Sequence, residues 1–297
     1  MFKMKGVNPP MVTPFLENGE VDFDGLVKFV DFLKKHVNGL FITGSYGSTA
    51  LLQINERKKI AEVTMKTVNG AIPVVVHVGT ADSRSSADLA AHAKSIGAAA
   101  VSAVGPFYYK HHADNICEFY RCIVKAAGPD MPVYVYNNFK FQGYEMDMKL
   151  MQRLKDETGV RGIKDATFDI MIHADYIRKL KDANFDVTSG TEAMWLQSCI
   201  MGTEAFIPGL GNVFPELCRK MWEQGMEKKY DECRQTQFLV NEIRDIMYQA
   251  KSTQLAVYAI LELRGILKCY PRSPFIPASS EEKMKIADSL KKLGLID

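Results

Sequence analysis

In the stretch VRGIKDATFD, residues 160–169, Val160, Gly162 and Ile163 read as a short buried strand, and Lys164 follows directly, ahead of Asp165. Two readings of this lysine stand side by side. It snorkels to the surface or pairs with Asp165, as most strand-end lysines do. Alternatively its burial is the purpose, because a desolvated lysine becomes a nucleophilic amine. A free lysine has a pKa near ~10.4, and burial lowers it by up to ~3–5 units, leaving a useful neutral fraction at pH 7. Such an amine attacks a ketone to form a protonated imine, an electron sink for breaking or making the adjacent carbon–carbon bond.

The elements that must position Lys164 follow a simple rhythm. Short apolar runs (GVNPPMV, GLFITG, IPVVVHVG, AAVSAVG, MPVYVYN, VRGIKDA, FDVTSG and EAFIPG) alternate with amphipathic stretches. Continuous apolar runs suit strands buried on both faces, as in a parallel sheet. Leu26, Phe29, Val30 and Leu33 share a helix face, with Asp22 or Asp24 as N-cap. Ile60, Val63 and Thr67 do so after Asn55, and Leu150, Met151 and Leu154 after Asp147. Eight strand–helix units, most of about 25–34 residues, predict a (β/α)8 barrel. The seventh leaves room only for a brief helix around 193–200, and helices are expected over 216–225, 229–250, 255–267 and 280–294. The chain thus reads as a single domain over 1–297, a barrel over 1–227 with a C-terminal helical extension over 228–297. An open doubly wound sheet competes, but no Gly-x-Gly-x-x-Gly follows the first strand.

In such barrels chemistry collects where strands end. Those positions hold Thr13-Pro14, Gly44-Ser45-Tyr46-Gly47, Gly79, Pro106-Phe107-Tyr108-Tyr109, Tyr136-Asn137, Lys164, Gly190-Thr191-Glu192 and Pro208-Gly209. An inward-pointing barrel lysine cannot reach solvent past packed side chains, so the snorkelling account of Lys164 weakens. Each neighbour also has a plainer use. Tyr136 can be a core aromatic, Ser45 a turn stabiliser, and Tyr108 and Tyr109 interface packing.

Composition excludes several classes. Of 297 residues 37 are basic and 35 acidic, spread along the chain with no basic cluster, which argues against nucleic acid or anionic membrane as partner. No run approaches the ~18 apolar residues that span a bilayer, and MFKMKGVNPPMVTPF offers no continuous apolar leader segment. The six cysteines include no Cys-x-x-Cys pair and read as reduced, mostly buried thiols of a cytoplasmic protein. His111 and His112 are adjacent in a predicted loop, and zinc wants three or four spaced ligands, so no metal site is expected. No phosphate-binding Gly-x-x-x-x-Gly-Lys-Ser/Thr loop is present either.

Together, GSYGSTALLQINERKKI (44–60), VSAVGPFYYK (101–110), YVYNNF (134–139) and GIKDAT (162–167) resemble the dihydrodipicolinate synthase / N-acetylneuraminate lyase family, from about residue 7 into the C-terminal helices. The resemblance implies a (β/α)8 barrel, usually a homotetramer, that forms a lysine imine with pyruvate or a related 2-oxo acid and uses no metal or organic cofactor. It implies Lys164 as the Schiff-base lysine and Tyr136 as the proton-shuttling tyrosine. Ser45 matches the first hydroxyl of the turn, and Tyr108 the tyrosine that, in the synthases, enters from a neighbouring subunit. The turn Ser45-Tyr46-Gly47 would hold the substrate carboxylate through the backbone N–H groups of Ser45 and Tyr46. Gly190, Thr191, Glu192 and Phe141 would line the specificity end.

Departures bear on the substrate. Tyr46 and Ser48 stand where the family turn carries a second small hydroxyl residue and a glutamate, and Asn138-Phe139 where Val-Pro or Ile-Pro is common. Phe141 replaces the arginine that binds the synthases' second substrate, and an apolar ring cannot make that bidentate contact. Ala166 and Ala193 remove a hydroxyl and a carboxylate that the sialic-acid branch carries, each hydrogen bond being worth roughly 0.5–1.5 kcal/mol. The leading expectation is a class I lyase that cleaves or condenses a 4-hydroxy-2-oxo acid with pyruvate as one partner. Condensation of the 4-hydroxy-tetrahydrodipicolinate synthase kind and a 2-oxo-3-deoxy acid dehydratase or aldolase remain alternatives. From another class, a non-catalytic barrel that binds a small acid stays open.

Overall fold

The computed structural model describes residues 2–297. Eight strands, β1 Gly6–Val7, β2 Leu40–Ile42, β3 Val74–His77, β4 Ala100–Val104, β5 Val133–Asn137, β6 Gly162–Asp165, β7 Asp186–Ser189 and β8 Ala205–Phe206, form one parallel sheet ordered β1-β8-β7-β6-β5-β4-β3-β2. The sheet closes on itself where the chain beyond β1 meets β2. Phe41 donates its N–H to the Pro9 carbonyl at 3.1 Å and accepts from Met11 at 2.9 Å around a Pro10–Phe41 bridge. Pro9 and Pro10 have no N–H, which is why regular pairing of the first strand stops after two residues.

Alternation along the strands makes two cores. Inside the ring, Phe41, Val75, Ala100, Tyr134, Ala205 and Ile207 pack together with Met4. Outward residues such as Ile42, Val76, Val101, Val135, Ile163 and Val187 join the helices in one continuous cluster. Asp22 and Asp147 cap their helices as predicted, accepting from Gly25 and Leu150 at 2.8 Å. The helix Ile54–Val68 differs. It begins before Asn55, with Gln53 as N-cap, whose N–H donates to Glu56 at 2.8 Å. Its buried stripe is Arg57, Ile60, Ala61, Thr64 and Val68, whereas Thr67 turns aside to bond the Val63 carbonyl.

The brief seventh helix is Trp195–Ile200, and Trp195 stacks on Phe206 at 4.8 Å. The last four helices are Pro215–Met226, Tyr230–Met247, Thr253–Leu263 and Ser280–Lys292. The helix Thr253–Leu263 reaches back to the barrel mouth. Gln254 donates to the Tyr46 carbonyl and to Ser48, both at 2.9 Å, and Tyr258 donates to the Thr13 carbonyl at 2.7 Å. All six cysteines are free, four of them buried. Among the described residues, no helix is long and apolar enough to cross a membrane.

Candidate active site

Lys164 lies within the barrel, 3% exposed, in register with Tyr136 on β5 and Thr188 on β7. In-register neighbours of a parallel sheet point to the same face, so the three side chains share the interior. The ammonium nitrogen lies 3.9 Å from the ring centre of Tyr136 and 4.1 Å from that of Phe41. Ring faces favour a cation, yet burial outweighs them and brings the Lys164 pKa down to about 7. The amine is therefore about half neutral near pH 7.

The Tyr136 phenol lies 3.2 Å from the Ser45 hydroxyl, and Asn138 donates to it at 3.4 Å. Burial raises the phenol's pKa, while the Ser45 and Asn138 contacts pull against that rise. Ser45 is presented by a tight turn bracketed by two left-handed residues, Thr43 (φ +53°) and Ser48 (φ +61°). Thr13 donates to the Gly47 carbonyl at 2.8 Å and pins the turn from below. Among the described residues, the amides of Ser45 and Tyr46 have no acceptor within the chain, as a carboxylate-binding turn requires. Val104, Tyr136, Ala166 and Phe107 form a small apolar collar above the lysine.

Other predicted residues fall differently. Glu192 is 2% exposed and already engaged, accepting from Gly209 at 3.0 Å, Leu210 at 3.4 Å and Arg244 at 2.8 Å. Thr191 is buried beside it and accepts from Ala193 and Arg244. Both residues brace the loop after β7 rather than present free groups to a ligand. Gly190 closes that loop onto β6, where a Cβ would lie 2.6 Å from the Asp165 carbonyl. Tyr46 turns toward the C-terminal helices, its hydroxyl 2.8 Å from that of Thr253. Phe141, 54% exposed, sits on the short helix Phe139–Gln142 after β5. Tyr108 is 86% exposed with φ +81°, packed edge-on against Tyr109, and within one chain it does not meet Ser45 or Tyr136.

Several residues at the mouth carry no motif and escaped the sequence. Arg244 comes from the helix Tyr230–Met247, its guanidinium 5.7 Å from the Phe168 ring. Asn138 was visible only as a departure from a Val-Pro pattern. His77 ends β3 with its ring 6.0 Å from that of Tyr136, and Arg57 donates to the His77 and Gly79 carbonyls at 2.7 and 3.0 Å. Among the described residues, no group of three or more His, Cys, Asp or Glu is placed to hold a metal ion.

Comparison with known proteins places the chain in a family. The sequence model of the dihydrodipicolinate synthetase family matches residues 3–293. The 4-hydroxy-tetrahydrodipicolinate synthase of Archaeoglobus fulgidus is 30% identical over 292 residues, covering 98% of this chain and 99% of that one. The N-acetylneuraminate lyase of Mediterraneibacter gnavus is 27% identical, covering 96% and 90%. The crystal structure of dihydrodipicolinate synthase from Thermotoga maritima superposes with a TM-score of 0.91 at 26% identity, covering 99% and 100%. The chain belongs to the dihydrodipicolinate synthetase family and is an enzyme of the imine-forming, pyruvate-dependent aldolase class.

Proposed function

We propose that this enzyme cleaves, or in reverse condenses, a 4-hydroxy-2-oxo acid with pyruvate as one partner, and that Lys164 is the nucleophile. The carrying observation is a buried amine with no hydrogen-bond partner among the described residues, a pKa of about 7, and the Tyr136 ring at 3.9 Å. Lys164 adds to the C2 carbonyl and expels water, leaving a protonated imine. Tyr136, its proton shared with Ser45, withdraws the proton of the C4 hydroxyl. The C3–C4 electron pair moves into the imine, and an aldehyde leaves. Proton return to C3 and hydrolysis then release pyruvate and the free lysine. The amides of Ser45 and Tyr46 hold the carboxylate throughout.

A hydroxyl relay suits this task because an isolated phenol, with a pKa near ~10, is a poor base. Tyr108 completes the relay in a neighbouring subunit of a homotetramer; its exposure and left-handed backbone fit a side chain held out for a partner. Six free thiols suit a cytoplasmic setting. Half-exposed Phe141 and Phe168 at the mouth favour an acid whose distal part is apolar or small. The names of several relatives favour a second reading, synthase-type condensation, which Phe141 disfavours because it supplies no charge for a second carboxylate.

The test is borohydride reduction in the presence of pyruvate. An adduct is expected on the peptide carrying Lys164, with loss of tryptic cleavage there. A blank result, with a known aldolase trapped alongside, would end the proposal. Pyruvate release from sialic acids, deoxy-gluconates and arylidene-pyruvates, plus an aspartate-semialdehyde assay, then sorts the substrates.

A further inference from the structure

His77 takes no part in the chemistry above, yet it packs against Tyr136 and bonds Thr43, two residues before Ser45. Its Nε2 accepts the N–H of Val104 at 3.1 Å, so the ring proton sits on Nδ1, which faces the Thr43 carbonyl at 3.2 Å. The Thr43 hydroxyl lies between two carbonyls, Ile42 at 2.8 Å and His77 at 3.0 Å. These contacts pin a β-branched residue at φ +53°, a conformation such residues adopt only when their surroundings enforce it. Ser45 lies two residues on in the same turn, between left-handed Thr43 and Ser48. His77 also packs edge-on against Tyr136, at 84° and 6.0 Å, and lies tilted at 44° to Phe41 at 6.2 Å. Gly79 makes room for the arrangement, since a Cβ there would lie 2.8 Å from Val104 backbone atoms and 3.0 Å from Nε2. The imidazole stays uncharged: burial, then Arg57 and Lys164, hold it well below the usual histidine range.

We propose that His77 is a positioning residue for the proton relay, gripping the turn that carries Ser45 through Nδ1–H while its ring sets the Tyr136 phenol. The inference rests on the imine reading above, and its test separates the two. Pyruvate alone serves as the probe. Imine formation is read by borohydride trapping. Relay action is read by deuterium uptake at the pyruvate methyl group in heavy water, where the imine makes a C3 proton removable. Asparagine keeps an N–H near the Nδ1 position, glutamine keeps an acceptor near Nε2, and leucine keeps neither.

Trapping is expected to persist in all three variants. Deuterium uptake should stay within a few-fold of wild type in His77→Asn and fall by about 100-fold in His77→Gln and His77→Leu, the scale of a relay misplaced by ~1 Å. A merely structural role would make uptake follow melting temperature rather than this order. Wild-type uptake in His77→Leu, or equal loss in His77→Asn and His77→Gln, overturns the inference. If His77→Leu does not fold, the Asn–Gln contrast still decides. Absence of trapping in the wild-type enzyme overturns the imine reading instead.

Discussion

Lys164 and Arg57 are both cations buried to 3% exposure at the same end of the barrel, and they come to opposite states. Arg57 enters from the helix Ile54–Val68 and spends its guanidinium on two carbonyls at the end of β3. Burial lowers it to about 9, which leaves it charged near neutrality. Lys164 enters from β6, and its ammonium lies over the faces of Phe41 and Tyr136 with no hydrogen-bond partner among the described residues. Burial alone brings it to about 7. The difference lies in what surrounds each charge rather than in depth. Carbonyl oxygens replace lost water and keep a cation as a structural bolt, whereas aromatic faces replace it poorly and leave an amine that sheds its proton near neutrality.

Exchanging one cation for the other at the reactive position should have the largest effect. In Lys164→Arg the guanidinium cannot lose its proton at neutral pH and so cannot form an imine. Turnover is expected to fall by about 10⁴-fold or more, with no borohydride adduct. Mass spectrometry of the trapped protein checks this, and an adduct elsewhere in the chain would remove Lys164 from its assigned role.

Removing the charge tests its cost. The folded pKa of about 7 lies below an unfolded value near ~10.4. Between those values the unfolded chain holds a proton that the folded chain does not, so stability rises with pH across that window. Below about pH 7 the burial penalty is present in full. Lys164→Met should therefore be more stable than wild type by on the order of 2–4 kcal/mol at pH 6, taking about 1.4 kcal/mol for each tenfold loss of proton affinity and allowing for relaxation around the charge. That advantage should shrink toward pH 10. Urea melts at several pH values measure it, and stability curves that run parallel would contradict the desolvation account.

The two cations also differ in how readable they were. Lys164, Tyr136 and Ser45 stood out because barrel strand ends concentrate chemistry, and eight apolar runs at regular spacing located those ends. Arg57 sits in NERKKI, where it looks like one more solvated charge on an amphipathic helix. Only the packing of that helix against β3 turns it inward. His77 was hidden inside an apolar strand run, since alternation marks a face but not a hydrogen-bond partner. Glu192 illustrates the converse. Its place at a strand end suggested a lining of the specificity end, and its carboxylate is taken up by Arg244 and two amides of a later turn, distant in sequence. Local patterns thus located the residues proposed to react, while the braces depend on long-range pairing.

The smallest effect belongs to Arg57→Lys, and it sharpens the comparison most directly because it puts a second lysine at the same depth. An ammonium group is a single point and cannot span two carbonyls as the guanidinium fork does. One of the His77 and Gly79 carbonyls would lose its Arg57 donor, at a cost of about 1–3 kcal/mol. Chemical denaturation at neutral pH should register that loss. The remaining carbonyl would still hold the new ammonium charged, so it should not join Lys164 as a site of pyruvate trapping. Unchanged stability would show that the two carbonyls do little for Arg57. A second trapped lysine at position 57 would show that depth alone makes the reagent, and the distinction between bolt and nucleophile would have to be given up.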